Sequence, residues 1–392
     1  MRTHLVLPVD PPPVVPRLAI MKGPAGSALA MQPTDIYREL QRELIGQEET
    51  LRFVAVAIFK HRQGEKFGNL LLIGNSGTGK TTIMRTIERL YSEHETFREY
   101  RVLVIMNAHT LATEEGVVDI HRLLDRLEER ARQLLGDEAS AEEVARTMER
   151  ATVCLDEIDK ISGVVGGKPY VTGISIQQAL LTMIEGERVL HHVTVWEGNA
   201  PRKVPVTVDT GKMLFLCAGA FEGLYDQVYK RVTSPATRVK LPTETLVDNG
   251  KVTIREVFTL RHHFKQEDLF EYGMQPQFLS RFDNAIILED LNAPVLSRIF
   301  TEPQESVFRL SQSFFRKIGI ELEVTEGAVR KIAEEAAKSS RIGARALKAV
   351  YGRVIKPFEY DPFTRPEVEP ADAGHRLRID EKVVAEALKQ PY

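Results

Sequence analysis

A chain of 392 residues with a formal net charge of −3 has room for two or three domains and no overall field that would draw it to DNA or an anionic membrane. Hydrophobic residues make up 43% and charged residues 27%, as in ordinary soluble globular proteins, and no apolar run is long enough to span a bilayer. The two cysteines, Cys154 and Cys217, lie far apart in apolar runs, which excludes a four-thiolate zinc site and reads as two small buried residues of a cytoplasmic protein.

Residues 1–32 are rich in Pro, Ala and Gly without sustained periodicity and predict a flexible arm. Their opening, "MRTHLVLPVDPPPVVP", has too short an apolar core for a secretory signal and is broken by prolines. From Thr34, "TDIYRELQRELIGQEETLRFVAVAIFKHRQ" carries apolar residues at helical spacing, interrupted at Gly46. The short apolar runs "NLLLI", "RVLVIM", "TVCLD" and "MLFLCA" then alternate with helical segments such as "TTIMRTIERLYSE" and "HRLLDRLEERARQLL". A fifth run, "NAIIL" at 284–288, follows the longest insertion. This pattern predicts an α/β fold with a five-stranded, mostly parallel sheet covered on both faces. Between Phe221 and Asp268, "TETLVDNGKVTIREVFTL" alternates around Asn249-Gly250 and predicts a β-hairpin insertion, about 222–268, within a large domain of residues 33–290. After Asn292 the pattern turns mainly helical, with Thr325 as an N-cap, and predicts a small C-terminal domain over 291–392.

Gly74-Asn75-Ser76-Gly77-Thr78-Gly79-Lys80-Thr81 fits the phosphate-binding loop G-x-x-x-x-G-K-[ST], after an apolar strand and before a helix, where that motif has to lie. Its glycines let backbone N–H groups converge on phosphates, aided by the helix dipole. Ser76, Gly77, Thr78, Gly79, Lys80, Thr81 and Thr82 are the expected ATP contacts, with Lys80 reaching the β- and γ-phosphates and the Thr81 hydroxyl ligating Mg²⁺. In "TVCLDEIDKI" a buried strand runs into Asp156 and Glu157 at the end where open α/β sheets bind ligands. Asp156 is expected to hold the Mg²⁺ shell and Glu157 to polarise the attacking water. For Asp159 and Lys160 a solvated pair is the alternative to a role in the site.

Together with "LIGQEETLRFVAVAIFKH", "LDEIDKIS", "SIQQALLTMIEGE", "VDTGKMLFLCAGAFEGL", "DLFEYGMQPQFLSRF" and "RIGARALKAV", in that order, these motifs resemble the ClpX family of AAA+ protein unfoldases over roughly residues 34–355. The resemblance implies a hexameric, ATP-hydrolysing ring acting on protein substrates. It implies that Ile45 and Gly46 line the adenine pocket, that Arg281 is the arginine finger entering a neighbouring subunit's site, and that Arg345 is the second sensor. For either arginine taken alone, a surface ion pair is the default reading. The first-sensor position falls near Cys217 and is left open.

Three departures from the family pattern carry expectations of their own. A Pro-rich arm stands where the family has a cysteine-based zinc domain, so docking through such a domain is not expected. The central-pore loop, aromatic in the family, reads Gly116-Val117-Val118 in "TEEGVVDIHRLL", which favours mild remodelling over strong gripping unless the two valines simply pack in the core. The insertion lacks the family's Ile-Gly-Phe loop, so partnership with the Clp peptidase is not expected. His191-His192 and His262-His263 read as solvated histidines, and Trp196 falls in a segment that reads as loop-rich. A nucleotide-gated scaffold and a nucleic-acid motor or loader are the other functional classes, the latter disfavoured by charge and by the lack of an aromatic-and-basic binding motif.

Overall fold

The computed structural model describes residues 31–65, 68–197, 200–235, 240–248, 251–256, 258–339, 342–371 and 374–389. The predicted arm up to residue 30 and the hairpin-turn pair Asn249-Gly250 lie outside the described residues.

Five apolar runs form one sheet: β1 (Asn69–Ile73), β2 (Leu103–Asn107), β3 (Thr152–Asp156), β4 (Leu214–Gly219) and β5 (Phe282–Ile287). Their order is β5-β1-β4-β3-β2, and every pairing is parallel. β1 is buried along its whole length because both faces are covered. Leu71 and Ile73 point into one core cluster while Leu70 and Leu72 point into the other, the two-residue alternation a strand requires. The N-terminal helical segment divides into α1 (Pro33–Gln41) and α2 (Glu48–Arg62), and Gly46 between them has φ 86°. α3 (Lys80–Glu93) follows β1, α4 (His121–Leu135) and α5 (Ala141–Glu149) precede β3, and α6 (Val171–Glu185) and α7 (Leu224–Thr233) flank β4 in sequence.

The expected insertion hairpin is present as strands Thr243–Asp248 and Lys251–Glu256, antiparallel, with Asp248 opposite Lys251. A second, longer hairpin pairs Arg188–Glu197 with Ala200–Asp209. It corrects the loop-rich reading around Trp196, which sits on a ten-residue strand with its side chain exposed. A two-stranded ribbon leaves one side of each strand unpaired, and such strands can carry prolines such as Pro201 and Pro205.

A third core cluster gathers Leu291 to Val384 and holds the C-terminal helices together. Thr325 caps its helix as expected, its hydroxyl accepting the Ala328 N–H at 3.3 Å. This part also contains a three-stranded mixed sheet of Ile320–Val324, Gly374–Ile379 and Val368–Ala371. Among the described residues no helix is long and apolar enough to cross a membrane.

Candidate functional site

The loop from β1 to α3 owes its shape to glycine. Gly77 and Gly79 have φ of 77° and 104°, left-handed values that other residues resist. At Gly77 a Cβ would also lie 2.4 Å from the Ile342 carbonyl oxygen. Lys80 is buried, and its Nζ donates to the carbonyls of Gly74 at 2.6 Å and Asn75 at 2.8 Å. Burial pushes the ammonium down to about 8; Asp156 and Asp159 pull it back up, while Arg345 pushes it down.

β3 delivers the facing carboxylates. Because β1 and β3 both flank β4, the loop after β1 and the end of β3 face each other across the end of β4. Thr81 Oγ1 donates to Asp156 Oδ2 at 2.5 Å, and Asp156 Oδ1 accepts the Glu157 N–H at 2.9 Å. Glu157 itself has φ 55°, one of two non-glycine residues in the left-handed region among those described. Asp159 is not half of a solvated pair: it is 5% exposed, and its Oδ1 accepts the Ala220 N–H at 3.0 Å, binding the turn after β3 to the end of β4. Its burial follows from Gly219, where a Cβ would come within 2.9 Å of that oxygen.

The C-terminal helices close the third side. The Ala344 N–H donates to the Gly77 carbonyl at 3.0 Å, and Arg345, first residue of the helix Arg345–Tyr360, donates from Nη1 to Ser76 Oγ at 2.5 Å. The result is a cleft of about 530 Å³, within the size range of nucleotide-sized pockets. Ile45, Ser76, Gly77, Thr78, Gly79, Lys80, Thr81, Thr82, Asp156, Glu157 and Arg345 line it. Gly46 stands behind that lining, where a Cβ would come within 2.4 Å of Val295 Cγ1. Arg281 does not line the cleft of its own chain; its Nε donates to Glu185 Oε1 at 2.9 Å, at the end of α6.

The hydroxyl of Thr81 and the carboxylate of Asp156 are hard oxygen donors already in contact, the donor chemistry that suits Mg²⁺. Burial pushes the thiols of Cys154 and Cys217 upward, which disfavours a thiolate at either position.

Sequence reasoning missed Gln47. This buried side chain donates from Nε2 to the carbonyls of Thr78 (3.2 Å) and Glu289 (2.8 Å), and its Oε1 accepts the Glu289 N–H at 3.0 Å. It pins the phosphate loop to the end of β5, and a glutamine beside Glu48-Glu49 gave no signal of this in the sequence. Asn75 is fixed likewise, its Nδ2 donating to Asp290 Oδ1 at 2.9 Å.

Two exposed loops leave the same end of the sheet. Val117 is 59% exposed, whereas Val118 packs against the core and bridges to Ala112, so core packing holds for only one of the pair. A small hairpin, Val164–Val165 with Lys168–Pro169, presents Val164 and Val165, followed by the exposed Val171. A Cβ on Gly116 would lie 3.0 Å from Thr172 Oγ1, which places the two loops side by side.

His191 contradicts the solvated reading of its pair. It is 3% exposed, and its Nε2 lies 2.8 Å from Glu128 Oε2. Glu128 also accepts from Arg132 Nε at 3.1 Å and the Thr194 N–H at 2.8 Å, a latch between α4 and the long hairpin. His262 is exposed as expected.

The family profile described as AAA domain (Cdc48 subfamily) matches residues 65–285. Among curated proteins, the chain is 31% identical over 351 residues to the "ATP-dependent Clp protease ATP-binding subunit ClpX 3" of Methylococcus capsulatus, covering 83% of this chain and 75% of that protein. The chain belongs to the ClpX-like AAA+ ATPases. It is 28% identical to the ClpX subunit of Azotobacter vinelandii (88% of this chain, 80% of that protein) and 29% identical to that of Porphyromonas gingivalis (89% and 83%). As a member of this family the chain binds nucleotide and is an ATP hydrolase.

Proposed function

We propose that this ClpX-like ATPase assembles into a ring, with a hexamer as the expected form, and uses ATP hydrolysis to remodel protein substrates. The observation that carries this reading is a division of labour. One cleft gathers Lys80, Thr81, Asp156, Glu157 and Arg345, while Arg281 stands outside it and is half exposed. A guanidinium that serves the reaction from there must serve the cleft of a neighbouring subunit.

In this scheme Lys80 and Arg345 neutralise the phosphates. Thr81 and Asp156 would hold Mg²⁺, which would offset the charge of the phosphates. Glu157 accepts the proton of the attacking water, and the neighbour's copy of Arg281 stabilises charge at the transferring phosphoryl group. Ala344 and Arg345 bond the phosphate loop directly, so hydrolysis is proposed to shift the C-terminal helices through Arg345 and to move the loops around 114–118 and 163–173.

The relatives' names make them subunits of a Clp protease. This chain is proposed to work without that peptidase, because its 222–268 insertion lacks Ile-Gly-Phe and folds back as a hairpin instead. A second reading, a nucleotide-gated scaffold, is favoured by Val117 at the loop tip: valine is smaller and stiffer than an aromatic residue and grips a passing chain less.

The test is a trap. Tagged Glu157→Gln is expressed in its native host, purified with ATP, and stripped of nucleotide. Release of a specific polypeptide supports the proposal; release of nuclease-sensitive nucleic acid moves the chain to the motor class.

A further inference from the structure

The latch between α4 and the long hairpin includes a third group that its hydrogen bonds leave unexplained. One donor atom from each of Asp125, Glu128 and His191 lies within 4.8 Å of the other two, and among the described residues no other three such side chains converge this way. Asp125 and Glu128 stand three positions apart on α4, which puts them on one side of the helix. His191 comes from the facing strand Arg188–Glu197.

Asp125 is the unexplained member. Its carboxylate makes no hydrogen bond or ion pair with the described residues, although two arginines of α4 stand close to it in sequence. Arg122 turns to the carbonyls of Thr110 and Ala112, and Arg126 to Glu129. Two carboxylates brought this close disfavour each other's charge unless a cation lies between them. Arg132 offsets only one of the two charges, and it does so at Glu128 Oε1.

The donor set is of zinc type. An imidazole nitrogen beside two carboxylates suits Zn²⁺, whereas Mg²⁺ and Ca²⁺ prefer oxygen alone. Glu128 Oε1 is occupied by Arg132 and the Thr194 N–H, which leaves Oε2 for an ion and holds the carboxylate in place. Glu128 and His191 are buried, while Asp125 is exposed and lines an open groove of about 860 Å³ beside β2, a path for entry.

We propose that Asp125, Glu128 and His191 bind a zinc ion that clamps the long hairpin to α4, with water completing the shell from the groove. The ion replaces the proton shared by His191 Nε2 and Glu128 Oε2, and the neutral ring keeps its proton on Nδ1. Those two atoms, now 2.8 Å apart, open to roughly 3.3 Å, the spacing of neighbouring ligands on a tetrahedral zinc. α4 follows the exposed loop at 112–118, so the clamp braces that loop's far end against the hairpin.

The experiment uses the full-length chain, stripped with EDTA and held in excess Mg²⁺ to fill the Thr81–Asp156 pair. Zinc sulfate is titrated against a chromogenic zinc indicator, and cobalt chloride is followed by visible absorption. The parent is expected to take up one equivalent of zinc at micromolar concentration or below and to give the intense bands of four-coordinate cobalt. Its Tm should rise by roughly 2–4 °C at a hundredfold excess over Kd. His191→Gln should lose binding but also breaks the latch, so Asp125→Asn, at an exposed position, is the deciding variant. It should fold as the parent does, bind zinc at least about 100-fold more weakly, and lose the gain in Tm. Zinc uptake unchanged in Asp125→Asn, binding only at millimolar concentration, or the weak bands of six-coordinate cobalt would overturn the site.

Discussion

The nucleotide cleft and the two exposed loops leave the same sheet and are built in opposite ways. In the cleft, Gln47, Asp156, Asp159 and Arg345 each bond to another segment of the chain, Lys80 closes the phosphate loop on itself, and Gly77, Gly79 and Gly219 allow the close approaches. At the loops, Val117, Val164 and Val165 face solvent on short turns held largely by neighbouring residues, and Val171 faces solvent at the start of α6. Phosphate chemistry loses rate when a group is misplaced by about 1 Å, so the cleft is over-determined. A surface that takes hold of and releases other molecules gains from segments that open at little cost. On the proposed roles, the interlocked part of the chain is where ATP is cleaved and the exposed apolar part is where a substrate is met.

Mutations sharpen that contrast. The largest effect is expected for Lys80→Ala, which removes both the phosphate-facing charge and the two bonds closing the loop, and should abolish nucleotide binding in an equilibrium titration. Arg281→Ala should bind ATP normally yet hydrolyse it about 10³-fold more slowly, the scale of a lost arginine finger. Glu157→Gln should also bind ATP and lose at least about 10²-fold in turnover. Full activity in either variant breaks the proposed division between the cleft and its neighbour.

A smaller effect is expected from His61, buried in α2 with Nε2 at 3.1 Å from the Lys212 carbonyl and Nδ1 buried without a partner. Burial lowers it to about 4, against the upward pull of that carbonyl. The unfolded chain binds the proton near pH 6.5 and the folded one only near 4, so stability falls as pH drops through that window. The loss approaches ~3 kcal/mol at its lower end, and denaturant melts of His61→Gln should show a flatter pH profile than the parent. The smallest effect on the cleft is expected from Val117→Tyr, which should leave ATP affinity unchanged while altering substrate handling if the loop grips protein; unchanged handling favours the scaffold.

Much of this was legible in sequence, for local reasons. β1 to β4 are continuous apolar runs, and the phosphate loop announces itself through glycines and a lysine that other contexts do not require. What was missed depends on partners far along the chain. His191 looks like any polar pair until Glu128, 63 positions away, is seen to receive it. Gln47 finds its partner 242 positions on, at Glu289, and Asp159 is buried by the end of β4 rather than by anything beside it. The Trp196 segment, read as loop-rich, pairs over ten residues with Ala200–Asp209.

The account stands or falls on whether Arg281 works across a subunit boundary. Mixing settles this. Glu157→Gln subunits keep the arginine but lack the base, and Arg281→Ala subunits keep the base but lack the arginine. Each alone should be nearly inactive, and co-assembly should restore measurable ATP hydrolysis through interfaces that pair an intact cleft with an intact arginine. If the mixture assembles but stays as inactive as its components, Arg281 does not act in trans and the composite site is wrong.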